Sequence, residues 1–373
     1  MAIPAENRFE SDPDEVLPDG HGLPDGWSVA APDPGDPADV AALVHLLRAH
    51  EEAARGWASA DDDTVLVEIS EVGVRTRENL LVRDRRGDVR AWGSVHDRAA
   101  GRMLYSHVVA RDLRDDVAQR CSEVLFAWAE AQAREVGAAR GLPVQQIDTG
   151  AFAGDDRQHR WLAAAGFERV REWWQMSRPV EAAEADLVPD PVTWEARGVR
   201  FRLVRREEVD GVRTGMPDVD DLRAVHEVLE GAFTDHFNSR EETFGEFVHR
   251  LREDPGHRWD HWWLAERVDD EARAGHGGTP EPCGALVGTH LESEDGPDGS
   301  YVEYLGVLAS ARGRGVAKGL LRTVVADAAA RGRDRVGLEV DASSSTGADG
   351  LYVSMGWQTR YVTESWHKDV PVE

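Results

Sequence analysis

Arg312-Gly313-Arg314-Gly315-Val316-Ala317-Lys318 separates a strand-like run at 300–308 from a helical run at 315–331, and a further strand-like run follows at 335–341. Two strands joined by one helix form a βαβ unit, so these strands run parallel. Glycines in the connecting loop let the backbone turn tightly and approach a ligand closely. Free N–H groups at the helix start, the positive end of its dipole and the charges of Arg312, Arg314 and Lys318 favour a bound pyrophosphate. On its own the loop also reads as an ordinary turn into a basic helix. A Walker loop is excluded, because no Gly-Lys followed by Ser or Thr stands at the required spacing. The dinucleotide fingerprint is closer, with Asp341 after the next strand, but its third glycine would fall on Lys318.

At 373 residues the chain predicts two domains. Breaker residues Pro189, Asp190 and Pro191 mark 181–198 as a linker, leaving a flexible tail at 1–26, one domain at 27–180 and another at 199–373. The two halves close alike. Trp161-Leu162-Ala163-Ala164-Ala165-Gly166-Phe167 in the first matches Leu351-Tyr352-Val353-Ser354-Met355-Gly356-Trp357 in the second, each with a helix-capping glycine before an aromatic strand. Strands are expected near 79–84, 88–96, 102–110, 143–148 and 167–178 in the first half, with helices at 116–136 and 156–165. In the second, strands near 199–205, 259–268 and 282–292 precede the βαβ unit, with helices near 218–233 and 240–252. A helix at 346–355 and closing strands to about 368 follow that unit. The fold class is α/β with a mixed sheet, present in two tandem copies.

Net charge is −27, with 70 Asp plus Glu against 43 Lys plus Arg, which argues against nucleic acid and anionic membrane surfaces as partners. Two cysteines give neither a disulfide framework nor a cysteine-based zinc site. The N-terminal residues lack the basic start and apolar stretch of a secretory signal, and no apolar run reaches membrane length, so a cytoplasmic address is expected. Cys283 reads as a small buried thiol rather than a nucleophile, and the cluster of His257, Trp259, His261, Trp262 and Trp263 as a strand rather than a metal site.

With Arg312, Gly315 and Ala317 in place, the second half resembles the GNAT acetyltransferase superfamily, whose signature is Gln or Arg, two residues, Gly, one residue, then Gly or Ala. The resemblance extends upstream to Tyr301-Val302-Glu303-Tyr304-Leu305-Gly306-Val307 and downstream to Ala348, Leu351, Tyr352, Gly356 and Trp357. It implies a splayed mixed sheet flanked by helices and acetyl-CoA as co-substrate, with no metal. It further implies direct attack by the primary amine of a small molecule. Cofactor contacts would come from Leu305, Val307, Arg312, Gly313, Arg314, Gly315, Val316, Ala317, Lys318 and Ser345. Tyr352 would be the general acid, and the Val307 N–H, at a strand bulge, the donor to the thioester oxygen. Glu303 stands either as general base or as a positioning carboxylate, with His290 and Asp341 as weaker alternatives.

The first half follows the same order with its motif lost: Arg111-Asp112-Leu113-Arg114-Asp115-Asp116-Val117 replaces the loop, and Leu162 replaces Tyr352. It is therefore expected not to catalyse. An intact second copy after a degenerate first is also similar to the mycothiol synthase family of actinobacteria, which acetylates a cysteinyl amine. Ala309 and Ser345 depart from that family's usual Pro and Asn. A silent acyl-CoA sensor and a nicotinamide-dependent oxidoreductase are the competing readings. The acceptor and the oligomeric state are not legible in the sequence.

Overall fold

The computed structural model describes residues 22–98, 102–209, 212–233, 243–252, 257–268, 280–293, 296–344 and 347–372. The chain divides into two compact units: residues up to Trp173 together with Tyr361–Glu373, and Trp174–Arg360. Of the expected 1–26 tail, residues 1–21 lie outside the described residues. Leu23, by contrast, packs with Trp27 against the first core.

The first unit is a sheet of β1 (Ser28–Ala30), β2 (Arg77–Arg83), β3 (Val89–Arg98), β4 (Arg102–Val109) and β5 (Val144–Phe152). Neighbours from β1 to β4 are antiparallel, and β4 pairs with β5 in parallel. Helix Asp115–Arg140 covers one face, burying Cys121, Leu125 and Trp128 with Tyr105 and Ile147. Helices Pro37–Arg55 and Asp62–Ile69 form a second core with Leu81, Trp92 and Val108. These two helices lie outside the expected elements, yet their start signals are ordinary. Asp36 accepts from the Ala38 N–H ahead of Pro37, and Asp61 with Thr64 makes a reciprocal capping box.

The sheet of this unit is completed from the far end of the chain. β14 (Gln358–Pro371) pairs antiparallel with β5 from Thr363↔Phe152 to Pro371↔Val144, and it carries Trp366 and Val370 into the first core. β6 (Glu168–Pro179) makes the reverse passage, since its residues from Trp174 onward belong to the second unit. The division therefore falls at Trp173 rather than at 181–198. That segment holds a 3-10 turn at Ala182–Asp186 and helix Pro191–Glu195, whose Trp194 is buried in the second core.

In the second unit the strand order is β6, β13 (Arg335–Asp341), β12 (Gly299–Val307), β11 (Glu281–Leu291), β10 (His257–Arg267) and β7 (Val199–Leu203). β12 and β13 are parallel, as the βαβ reading requires. Helix Val316–Ala330 packs on one face with Leu286, Val302, Val336 and Leu338; helices Val219–Ala232 and Phe244–Arg252 pack on the other with Trp262, Leu264 and Val287. Gly319 allows the close seat of the first helix, because a Cβ there would stand 2.0 Å from the Phe201 ring. A hairpin of β8 (Arg206–Val209) and β9 (Val212–Pro217) was not expected; Asp210-Gly211 is its signal in the sequence. Among the described residues no helix is long and apolar enough to cross a membrane.

Deleting Tyr361–Glu373 is expected to strip hydrogen-exchange protection from Val144–Phe152 while Glu281–Leu291 keeps its own. Retained protection at 144–152 would contradict the assignment of β14 to the first unit.

Candidate acyl-transfer site

The parallel ladder between β12 and β13 runs from Gly299↔Arg335 to Val302↔Leu338 and stops there, although both strands continue. Beyond that pair, residues 303–307 have β11 on one side only. Backbone N–H groups alternate in direction along a strand. The Leu308 N–H donates to Cys283 O on the β11 side at 3.0 Å, so the N–H groups of Leu305 and Val307 point to the opened side. Their side chains pack against the core under helix Val316–Ala330.

The bulge in β12 stands at Glu303, not at the expected Val307. Val287 pairs with Tyr304 and Gly288 with Val302, leaving Glu303 as the extra residue, while Val307 is in register with Gly284. Val302 and Leu305 both face the Val316–Ala330 helix, and the bulge sets Glu303 beside Tyr304 on the opposite face. There the Tyr304 hydroxyl accepts from Arg250 at 2.9 Å.

After a single 3-10 turn, Ala309–Ala311, the chain enters the glycine loop. Gly313 and Gly315 have φ of 78° and 82°, the left-handed region. Gly315 is the N-cap of helix Val316–Ala330 and brings no side chain to its N–H groups. The first helical bond in this turn is from the Gly319 N–H to Gly315 O at 3.0 Å, so the N–H groups of Val316, Ala317 and Lys318 are left for a ligand. Arg312, Arg314 and Lys318 are exposed around them, with no ion pair among the described residues. Trp194 lies beneath, and a Cβ on Gly315 would stand 3.3 Å from its ring.

Tyr352 sits in helix Ala348–Ser354, packed near Trp357 and only 8% exposed. Burial pushes its phenol up to about 12, and its hydroxyl makes no hydrogen bond among the described residues. Ser345 lies outside the described residues. His290 is bonded to Asp298 at 2.9 Å and pairs with Ser300, at the closed end of the ladder and away from the opening. Asp341 ends β13 and accepts from the Ser343 N–H at 2.8 Å, so it ties a turn. Cys283 is buried, and burial pushes its thiol up to about 11, which suits a packing role. His261 is hydrogen-bonded to Asp260 and Arg333 and so belongs to a polar network on β10.

One residue of the opening was not anticipated. Glu339 follows Leu338, one position past the last β12–β13 pair, and is exposed between buried Leu338 and Val340. Gln175 of β6 donates to its carboxylate, and the Tyr301 hydroxyl donates to the Gln175 Oε1 at 3.4 Å.

The first unit has a matching opening, since β4 and β5 pair only to Tyr105↔Thr149. Its connection, 110–114, is shorter than 308–315 and carries no glycine. Arg157 donates to Val109 O at 2.9 Å, and Arg111 is held by Asp155 and, at 2.8 Å, by His50. Leu162, the counterpart of Tyr352, is fully buried. A cavity of about 630 Å³ between helix Asp115–Arg140 and helix Asp156–Ala164 is lined by Asp115, Glu123 and Glu130 together with Arg157 and Arg160.

Residues 223–357 match the family described as acetyltransferase (GNAT). That stretch runs from within helix Val219–Ala232 to Trp357 and includes the glycine loop. The GCN5-related N-acetyltransferase of Sphaerobacter thermophilus superposes with a TM-score of 0.65 at 24% identity, over 94% of this chain and 97% of that one. A tandem GNAT protein from the clavulanic acid biosynthesis pathway gives 0.62 at 11% identity, over 93% and 99%. The whole chain thus has the tandem GNAT fold. A mycothiol acetyltransferase of Thermobispora bispora is 30% identical over 216 residues, 56% of this chain, and the chain spans 61% of that relative's length. The matched residues 223–357 lie within the unit that has the glycine cradle.

Gly315→Ala is expected to lower stability by about 1–2 kcal/mol, because an L-residue is strained in the left-handed region and the new Cβ meets Trp194. Urea unfolding of the second unit should show a lower midpoint at unchanged slope. An unchanged midpoint would mean that the loop has another conformation.

Proposed function

We propose that the GNAT domain transfers the acetyl group of acetyl-CoA to a primary amine of a small molecule by direct attack. The observation that carries this reading is the pair of N–H groups, Leu305 and Val307, turned into the gap where the β12–β13 ladder ends. The cradle at 313–318 follows β12 and Tyr352 follows β13 in the chain, so both motifs come after the strands that part, which supports the reading.

An amine with a pKa of ~10.4 is almost wholly protonated at neutral pH and must lose a proton before attack. In this reading Glu303, at the bulge, takes that proton or orients the amine for its loss. The Leu305 and Val307 N–H groups donate to the thioester oxygen as charge builds on it. The new C–N bond forms as the C–S bond breaks, and Tyr352 donates a hydrogen bond or its proton to the departing sulfur. The cradle holds the pyrophosphate through the N–H groups of Val316, Ala317 and Lys318, with Arg312, Arg314 and Lys318 around it. Holding both reactants together supplies much of the acceleration, and no acetyl-enzyme is required.

The first unit has no glycine in its connection 110–114 and Leu162 where the second has Tyr352; it acts as scaffold in this reading. A cysteinyl amine as acceptor is a second reading, supported by the likeness to the Thermobispora bispora enzyme. A cytoplasmic location and the absence of nucleic acid or membrane partners complete the proposal. The charge of −27 supports the absence of nucleic acid and anionic membrane partners.

Calorimetry with acetyl-CoA and thiol release over an amine panel test the proposal. Tyr352→Phe is expected to reduce kcat by about 10²-fold or more while acetyl-CoA binding changes little. Absence of acetyl-CoA binding would contradict transfer, and turnover unaffected by the substitution would remove Tyr352 from the mechanism. Because the phenol stays protonated up to about 12, kcat/KM is expected to rise with pH as the amine deprotonates, with no decline below pH ~10 from this group. A fall centred near 10 that disappears in Tyr352→Phe would contradict the buried setting.

A further inference from the structure

The cavity between helices Asp115–Arg140 and Asp156–Ala164 of the first unit takes no part in acetyl transfer, yet its two walls are chemically distinct. One wall carries Asp115, Ser122 and Phe126, spaced at whole helical turns and so on one face. The other carries Arg157, Arg160 and Trp161, again on one face. We infer that this groove binds a zwitterionic small molecule of the amino-acid class with a large apolar side chain, its carboxylate met by Arg160 and Ser122 and its ammonium by the acidic wall. The inference is independent of the acetyl-transfer reading of the second unit.

Ser122 is 1% exposed, and its hydroxyl has no hydrogen-bond partner among the described residues. A serine inside a helix commonly returns its hydrogen to the carbonyl four residues back. This one lines the groove and leaves that bond unmade, so a buried polar group stands ready for whatever enters. The Arg157 guanidinium lies over Trp161, 4.8 Å from the ring centroid, and donates to Val109 O at 2.9 Å, but its buried Nε–H is unpartnered among the described residues. Arg160 is exposed, with no ion pair among the described residues. This wall therefore offers donors to an anionic oxygen. On the facing wall Glu130 is taken by Lys368 and, at 3.1 Å, by Arg134, whereas Glu123 is held only by the Gln119 amide at 2.8 Å, which fixes its carboxylate and leaves the charge. Asp115 acts on the opposite wall directly. Burial first, and the Arg111 charge after it, hold the Arg157 guanidinium below the ordinary arginine range, with Asp115 opposing that shift and Arg160 adding to it. A plain anion would meet Asp115 and Glu123, and a plain cation Arg157 and Arg160. A zwitterion answers both walls, and its apolar side chain covers Phe126 and Trp161. A cavity of about 630 Å³ has the size of a small-molecule site.

Calorimetric titration of L-phenylalanine, phenylacetate and phenethylamine into the full chain tests the inference. L-Phenylalanine is expected to bind about tenfold or more tighter than either analogue, each of which lacks one charge and the hydrogen bond it assists. Ser122→Ala and Arg160→Gln should each weaken L-phenylalanine about tenfold, which separates this groove from any site in the second unit. Ser122→Ala should leave the urea midpoint of the unliganded chain unchanged or higher, because it removes an unsatisfied hydroxyl, so lost binding is not lost folding. No binding of L-phenylalanine at millimolar concentration, equal binding of the three compounds, or an affinity untouched by both substitutions would overturn the inference. CoA binding that is lost in Arg160→Gln, with no binding of L-phenylalanine, would make the groove a nucleotide site and overturn it as well.

Discussion

The second unit is organised by one interruption: β12 and β13 stop pairing after Val302 and Leu338 while both strands run on. Backbone groups inside a sheet are normally satisfied by the neighbouring strand, and leaving them open costs free energy unless a ligand or water takes the place of that strand. Everything that gives the opening a chemistry is arranged around it. The bulge at Glu303 shifts the side-chain alternation there, keeping Leu305 and Val307 on the helix side and delivering Glu303 and Tyr304 to the other.

The two units show what the opening requires. Both end a parallel ladder early, so the gap itself belongs to the fold. Only the second follows it with a loop long enough and glycine-rich enough to turn N–H groups outward. In the first, a short connection with Arg114 at the N-cap position leads straight into the helix, and arginines occupy the carbonyls and carboxylates nearby. The early end of the ladder is thus common to both units, while the glycine loop belongs to the second.

Much of this was legible in the sequence because it is encoded locally. The glycine loop, the parallel βαβ unit and the lost loop of the first half follow from residue type and period. The path of β14 was not legible: a strand's pattern fixes which face is buried, not which sheet it joins. Glu339 was passed over because an acid alternating with Leu338 and Val340 reads as a solvated face, and only the register puts it at the gap. The bulge did leave a trace, since two residues rather than one separate Val302 from Leu305. The helices at 37–55 and 62–69 carried Asp36-Pro37 and the Asp61, Thr64 box, signals that stand outside the repeat on which the reading was built.

The central claim is that an acyl-CoA lies along the opening and the cradle of the second unit. Amide hydrogen exchange of the full chain with and without acetyl-CoA tests this most directly. Slowed exchange is predicted at Leu305, Val307 and residues 313–318, with residues 110–118 unchanged. Protection confined to 110–118, or absent from both regions at saturating acetyl-CoA, would contradict the account.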